Sequence, residues 1–352
     1  MEAFISGIAS EAHTLVLFLI IAASLAVLVK GADLLVDEAV SLSVKWGVPK
    51  MLIGATIVSL GTTLPETAVS VFAAVRGAPG LALGNAVGSI IADTGLILGI
   101  AVLIGPIPVD RRVVTRQSWI QFGSALLLVV VSVPFLSLAD VFSEGGRLPR
   151  VAGFVFLALL VLYIWRSIGW SRLAPIGDIG PATVDVSEDV KPVLSLIKLV
   201  IGIVLVVLAS QVLIPTVEET ALRLRIPDAI IAATLVAFGT SLPELVTAIT
   251  AVRKKHGELA LGNVIGADIL NVLFVSGASA AVTRGGLQVP PQFFYLFFPS
   301  MIFVVAVLRI GIARSTSELS RKFGFVLLGA YVITVVAGYL VPGAPVPRAI
   351  GH

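Results

Sequence analysis

GTTLPE at residues 61–66 recurs as GTSLPE at residues 239–244, and a Gly-Asn pair follows at the same spacing in both copies. Residues 49–93 align with residues 227–271 at a constant offset of 178 without a gap, and 18 of the 45 aligned pairs are identical. A coincidence of composition could match Leu and Ala, but it would not repeat a Gly-Thr-x-Leu-Pro-Glu string together with a Gly-Asn pair. The sequence therefore contains an internal duplication.

The composition is that of an all-α polytopic membrane protein. Of the 352 residues, 57% are hydrophobic and 13% are charged, and the mean hydropathy is +1.06. Soluble domains carry about 25% charged residues. Apolar runs of about 20 residues suit transmembrane helices, and they lack the alternation of a membrane β-barrel. We predict ten spans, at 13–40, 48–76, 80–104, 114–137, 149–171, 192–215, 226–253, 258–283, 290–313 and 322–341.

The spans divide equally around one polar segment. The division gives a first five-helix repeat at 1–170, a linker at 171–191 and a second five-helix repeat at 192–352. Because each repeat contains an odd number of spans, the second copy enters the membrane inverted relative to the first. Inverted repeats that hold substrate at their interface are the architecture of many secondary transporters.

The basic residues predict the orientation in the membrane. Lys and Arg are more frequent on the side that holds the linker, and the positive-inside rule makes that side cytoplasmic. Both termini are then outside. Near the end of the first span, Asp33 is predicted to be interfacial, with Lys30 within reach on the same helix face.

Four acidic residues fall within the apolar spans: Glu66, Asp93, Glu244 and Asp268. A charged side chain at a helix centre costs about 3 kcal/mol on insertion scales. The second, third, seventh and eighth spans contain no Lys or Arg away from their ends, so pairing with a buried base does not account for these acids. We interpret them as lining an ion path.

The residues around the two glutamates suit a hard cation. Pro65 has no backbone N–H, which leaves the Gly61 carbonyl without its helical partner, and Pro243 has the same effect in the second copy. A helix broken at membrane depth is tolerated where it lines a cavity or meets ligands. Calcium prefers oxygen ligands such as these carboxylates, hydroxyls and carbonyls. Softer metals prefer His or Cys, and the chain contains no Cys. The polar pairs that lie on one helix face are Thr62 with Glu66 and Thr240 with Glu244.

The third and eighth spans add polar side chains at equivalent positions. Ser89 and Asp93 lie one helical turn apart, and their counterparts are Ala267 and Asn271. Asp268 precedes Asn271 by three residues and is roughly co-facial with it. Glycines in small-xxx-small patterns permit close helix approach, and we interpret four of them as packing: Gly84, Gly88, Gly262 and Gly266. Two residues are open to either a backbone-tying or a ligand role: Asn85 and Asn263.

The paired strings GTTLPE…GNAVGSIIAD and GTSLPE…GNVIGADILN resemble the α-repeats of the calcium/cation antiporter superfamily, and look most like its prokaryotic sodium/calcium exchangers. The GNxxE-type string typical of the proton/calcium exchangers is absent. The resemblance implies two inverted five-helix repeats, with broken helices at a central cluster of four ion sites where calcium and sodium compete. It implies a prokaryotic cell membrane as the location. The implied ligands are the side chains of Glu66, Glu244, Thr62, Thr63, Thr240, Ser241, Ser89, Asp93 and Asn271 and backbone carbonyls near Ser59 and Ala237, with Asp268 as an additional candidate.

The sequence departs from the pattern of this family in the third and eighth spans. The third-span position usually holds Asn and the eighth-span position Asp, whereas here these residues are Asp93 and Asn271. Ala267 stands where a serine is expected opposite Ser89, which weakens one implied sodium site. These changes leave the coupling ion and the stoichiometry open.

Several functions are compatible with buried acids, and the leading hypothesis is exchange of calcium for sodium by alternating access. Proton coupling is the alternative within the superfamily, because desolvated carboxylates titrate readily. A calcium channel could use the same ligands, but channels more often gain symmetry by oligomerising around a pore. No protease or nucleotide-binding motif is found, so we expect neither an enzyme nor a primary pump. We expect no cofactor besides the transported ions and no nucleic-acid partner. A monomer is one option for the oligomeric state.

The predicted orientation can be tested at Ala182, in the linker. Because the chain has no cysteine, an Ala182→Cys variant carries a single thiol. We expect this thiol to be protected from an impermeant maleimide added to intact cells and to react after permeabilisation. Labelling of Ala182→Cys in intact cells, together with protection of a Ser10→Cys variant, would contradict the orientation.

Overall fold

The computed structural model describes Gly7 and residues 12–135, 140–171, 192–224 and 240–340. Two predicted features lie outside these residues: nearly all of the linker at 171–191, and the first part of the seventh span. The predicted contribution of the Ala237 carbonyl falls in that second gap.

The described residues are mainly helical. The helices of the first half are α1 (Thr14–Trp46), α2 (Lys50–Thr62), α3 (Leu64–Val75), α4 (Pro79–Ile104), α5 (Arg111–Ser132) and α6 (Arg150–Ser171). Those of the second half are α7 (Pro192–Arg223), α8 (Leu242–Arg253), α9 (Gly257–Val282), α10 (Phe293–Arg314) and α11 (Arg321–Leu340). Within the described part, seven helices are long and apolar enough to cross a membrane, or eight if α2 and α3 count as one bent span. The prediction of a helical membrane protein is confirmed.

The first helix is longer than predicted and its acids have different partners. It continues to Trp46, where Gly47 ends it in a left-handed conformation with φ of 62°. Lys254 Nζ, just after α8, lies 3.2 Å from Asp33 Oδ1 and 2.8 Å from Asp37 Oδ2. Lys30, the partner that the sequence suggests for Asp33, is therefore not the one observed. Packing of the two halves places Lys254 beside Asp33 instead.

The helices that carry the repeated motifs lie at the centre of the bundle. The apolar windows of α9 and α4 are 94% and 78% buried, whereas those of α1 and α6 are 28% buried. The outer faces of α1, α6 and α7 expose large aliphatic side chains, as expected for surfaces that meet lipid. The core therefore consists of the motif-bearing helices, and the others enclose them.

Glycines set the distance between α2 and α9. A Cβ atom built on Gly54 would come within 2.5 Å of a backbone carbonyl of α9, and one on Gly266 within 2.5 Å of Ala55 Cα. A Cβ on Gly262 would overlap the Met51 carbonyl. The packing role predicted for Gly262 and Gly266 is confirmed. For Gly84 and Gly88, the equivalent partners at the offset of 178 lie outside the described residues.

Two short antiparallel sheets join the halves. β1 (Ile107–Pro108), between α4 and α5, pairs with β4 (Glu318–Leu319), between α10 and α11. β2 (Gly146–Leu148), between α5 and α6, pairs with β3 (Leu287–Val289), between α9 and α10. Each sheet thus takes one strand from each half. The first half contributes its α4–α5 connection to one sheet and its α5–α6 connection to the other, and the second half contributes α10–α11 and α9–α10 in return.

The close contact between α2 and α9 predicts a large effect of a single methyl group. Gly262→Ala should destabilise the protein by about 1–3 kcal/mol, because the backbone of α2 cannot move away without disturbing the core. Thermal unfolding in detergent measures this as a lower Tm. Gly123→Ala is the matched control, because Gly123 is exposed on α5 and no atom lies within 4 Å of the position that its Cβ would take. Equal Tm values for the two variants would contradict the prediction.

Candidate ion-binding site

A break in the second span positions the first glutamate. α2 ends at Thr62, α3 begins at Leu64, and the two helices are bent by 46°. Pro65 lies in the first turn of α3, where its missing N–H costs nothing. Glu66 follows it in the same turn, where the positive end of the helix dipole stabilises a carboxylate. The predicted helix break is confirmed for this copy.

The second copy has the same local structure where it is described. α8 begins at Leu242, with Pro243 and Glu244 in its first turn. The residues immediately before Thr240 lie outside the described part of the chain. Both glutamates therefore lie at the N-terminal ends of helices that have a proline in the first turn.

Polar side chains from four helices lie buried together around these two turns. Glu66, Asp93, Glu244 and Asn271 are each 1% exposed. Glu66 is close enough to interact electrostatically with Glu244 and Asp93. Both carboxylate oxygens of each glutamate, Asp93 Oδ1 and Asn271 Oδ1 have no hydrogen-bond partner among the described residues. As far as the described residues determine it, these atoms are available to bind a cation.

The buried acids have no basic partner in the described part of the chain. None of the ion pairs there involves Glu66, Asp93, Glu244 or Asp268. No three acidic or histidine side chains of the described residues are grouped closely enough to hold a metal ion by themselves. A cation in this cluster therefore needs hydroxyl, amide and carbonyl oxygens in addition to carboxylates.

Hydroxyl groups supply such oxygens across the boundary between the halves. Thr62 and Thr63, from the first half, lie beside the Glu244 carboxylate. Ser241, from the second half, lies beside the Asp93 carboxylate. The Thr63 and Ser241 hydroxyls are buried and make no hydrogen bond of normal geometry within the described residues. Each half thus places hydroxyls against a carboxylate of the other.

The Asn85 side chain connects the motifs of the two halves. Asn85 Nδ2 donates to the Glu66 carbonyl at 3.3 Å and to Ser70 Oγ at 3.0 Å. The Thr240 hydroxyl donates to Asn85 Oδ1 at 3.3 Å. For Asn85 the backbone-tying role is therefore the one observed. Asn263 is fully buried, and its amide atoms have no partner among the described residues.

The remaining candidates differ in how available their oxygens are. Ser89 is buried, 4% exposed. The Ser59 carbonyl accepts hydrogen bonds from the Thr63 amide at 2.9 Å and from the Thr62 hydroxyl at 3.3 Å. This carbonyl is therefore engaged in this conformation and would have to give up a hydrogen bond to bind an ion.

The third and eighth spans are not regular α-helices at the site. α4 contains a π-helical segment at Ala92–Ile97, and α9 contains one at Asn271–Ser276. Asp93 lies in the first of these segments and Asn271 begins the second. Single π-helical turns within α-helices are frequent at functional sites. No signal in the sequence indicated these segments.

Asp268 belongs to a neighbouring cluster that the sequence did not indicate. Its Oδ2 atom accepts hydrogen bonds from the Thr94 hydroxyl and from Gln121 Nε2, the latter at 2.5 Å. Gln121 Nε2 also lies 3.2 Å from the Thr94 hydroxyl. Thr94 follows Asp93 on α4, and Gln121 is on α5, outside the repeated motifs.

Comparison with known proteins identifies the family of this arrangement. The profile of a family described as "Sodium/calcium exchanger protein" matches residues 16–169 and 194–340. Sodium/calcium exchanger MaX1 of Methanosarcina acetivorans is 31% identical over 343 residues, which cover 91% of this chain and 97% of the relative. The putative antiporter CaxA of Alkalimonas amylolytica is 30% identical over 325 residues, covering 90% and 97%.

A solved structure agrees with these sequence matches. The sodium-calcium exchanger NCX_Mj, soaked with Na⁺ and Sr²⁺, superposes with a TM-score of 0.76 and 26% sequence identity, over 92% of this chain and 99% of the other. The family profile matches both halves of the chain and the relatives match it over nearly their full lengths. The chain belongs to the sodium/calcium exchanger family.

Proposed function

We propose that this protein is a secondary antiporter that exchanges calcium for sodium across the membrane by alternating access. The observation that carries the proposal is the cluster of Glu66, Asp93 and Glu244. These carboxylates come from both halves, are closed off from solvent and have no basic partner among the described residues. Cations are the charges that can compensate them at this depth.

The chemistry of the cluster favours competition between calcium and sodium. Carboxylate, hydroxyl and amide oxygens are ligands for hard cations, and both ions would draw on the same oxygens. Two kinds of ion that need the same ligands cannot be bound fully at once, so the binding of one favours release of the other. That exclusion is what an exchanger requires, and relatives named above are sodium/calcium exchangers.

We propose further that the ligand set is the one the sequence suggests. Glu66 and Glu244 bind both ions, and the hydroxyls beside them complete the coordination. The proposed contributors in the two halves are Thr62, Thr63, Ser89 and Asp93 in the first and Thr240, Ser241 and Asn271 in the second, with carbonyls near Ser59 and Ala237.

The proposed architecture is two inverted five-helix repeats, at 1–170 and 192–352, joined by a cytoplasmic linker at 171–191. The paired strands support inversion. In both sheets, a loop between the third and fourth spans of one half meets a loop between the fourth and fifth spans of the other. This exchange of roles is expected when a two-fold axis in the membrane plane relates the halves, with one sheet on each side of the bilayer.

Proton coupling is the second candidate for the same site. The unpartnered carboxylate oxygens could be neutralised by protons in place of sodium. Calcium uptake into sealed vesicles decides between the two, because an imposed sodium gradient should drive it and an imposed proton gradient should not.

We place the protein in a prokaryotic cell membrane with both termini outside.

Removing one charge from the cluster tests the proposed site. Glu66→Gln or Glu244→Gln should weaken calcium binding by about 2–5 kcal/mol, because a buried charge contact is lost while the side-chain volume is kept. Calcium flux in vesicles should fall to the background level in either variant.

Glu144→Gln is the matched control, since Glu144 is exposed in the loop before β2, and its flux should equal that of the wild type. Near-normal exchange by the Glu66 or the Glu244 variant, with correct insertion, would contradict the proposal.

The exchanged acid and amide allow a test of pseudo-symmetry. Asp93→Asn should impair calcium binding, because the energy of an ion in a poorly solvated site depends strongly on the surrounding charge. Adding Asn271→Asp to that variant returns the charge on the opposite helix. We expect the double variant to recover part of the lost exchange, measured as calcium uptake against sodium concentration. Identical uptake curves for wild type and both variants would place Asp93 away from the ion path.

A further inference from the structure

The Asp268 carboxylate is satisfied on one side only. Its Oδ2 atom accepts both available donors, the Thr94 hydroxyl and Gln121 Nε2. Its Oδ1 atom is buried and has no hydrogen-bond partner among the described residues. The same holds for the side-chain carbonyl of Gln121, whose Oε1 is buried and without a partner there.

The donors around Asp268 match an ionised carboxylate. A hydroxyl and an amide N–H both point their hydrogens at Oδ2, as they do toward an anion. Asp268 and Gln121 are each 1% exposed, and Thr94 is fully buried. No ion pair of the described chain involves Asp268. Among the described residues, nothing compensates an ionised Asp268 or pairs with these two acceptor oxygens.

The buried glutamine in the neighbouring turn of α5 differs from Gln121 in that its side-chain carbonyl has a hydrogen-bond partner. Gln117 lies one turn before Gln121 and is also fully buried. Its carbonyl oxygen accepts from the Tyr163 hydroxyl at 3.1 Å, and that hydroxyl also lies 3.0 Å from the Ala55 carbonyl. The side-chain carbonyl of Gln117 thus accepts a hydrogen bond from the protein, whereas that of Gln121 accepts none from the described residues.

We propose that Asp268, Gln121 and Thr94 form a sodium-binding site of their own, beside the calcium cluster and separate from it. Asp268 Oδ1 and Gln121 Oε1 provide the first oxygens, and the Thr94 hydroxyl lies within reach of both residues. A single carboxylate balances one monovalent charge, and hard oxygen ligands suit sodium. This inference rests on one part of the proposed function, namely that cations enter the interior of the helix bundle.

The position of this site couples it to the exchange cluster. Asp268 is close enough to Asp93 and Glu244 to interact with both electrostatically. A sodium ion at Asp268 would cancel part of the negative potential at those carboxylates. Its occupancy would therefore alter the balance between calcium and sodium next to it without sharing their ligands.

Sodium binding can be measured without transport, so that failure of this inference and failure of the exchange proposal are distinct. In a Glu66→Gln/Glu244→Gln variant the calcium cluster is disabled. We expect NaCl, but not choline chloride at equal ionic strength, still to raise the Tm of this variant in detergent, because a ligand bound only to the folded state stabilises it. Adding Asp268→Asn should abolish the rise. Adding Gln117→Leu should leave it in place.

A second measurement covers the case in which the combined variants do not fold. Asp268→Asn in the otherwise unchanged protein should bind one ²²Na⁺ ion fewer at saturation and keep its capacity for ⁴⁵Ca²⁺. An unchanged sodium stoichiometry overturns the proposal, as does a sodium-dependent Tm rise that survives Asp268→Asn. A Tm rise that acidification produces at constant sodium, and that Asp268→Asn abolishes, also overturns it, because Asp268 would then hold a proton.

Discussion

The structure buries four acidic side chains that form no ion pair with a base among the described residues. Glu66, Asp93, Glu244 and Asp268 are almost fully enclosed, and no ion pair of the described residues reaches them. Such an arrangement opposes folding in an apolar medium unless cations or fixed dipoles compensate the charge. The helix break at Thr63, the hydroxyls of the opposite half and the helix N-termini at the two glutamates all lower that cost. The features around the site can therefore be understood as responses to this one constraint.

Close helix packing brings the compensating groups together. Gly54, Gly262 and Gly266 let α2 and α9 approach until backbone meets backbone. Side chains at these positions would separate the helix that carries Thr62 from the helix that carries Asn271. The geometry of the proposed ion cluster thus depends partly on residues that offer no ligand atom.

The repeat made the centre of the molecule predictable. Features that do not follow the repeat could not be predicted. The offset of 178 and the two prolines were enough to indicate the break at Thr63, the buried glutamates and the motif-bearing core. Lys254 as the partner of Asp33 could not be inferred, because the pairing depends on how the halves pack. Gln121 was missed because α5 lies outside the repeated segment, and a glutamine in an apolar helix gives no periodic signal. The π-helical segments at Asp93 and Asn271 depend on local packing that no residue pattern announced.

The reciprocal sheets also bear on how such a chain could have arisen. A half-chain alone would have two unpaired strands, and half a ligand cluster whose carboxylates lack the hydroxyls that face them. Neither half is therefore a smaller working version of the whole. With the halves inverted as proposed, an ancestor encoded by a single unduplicated gene would have had to assemble from two copies inserted in opposite directions. In a single chain each half is free to diverge, and Asp93 and Asn271 accordingly occupy matching places with different charges.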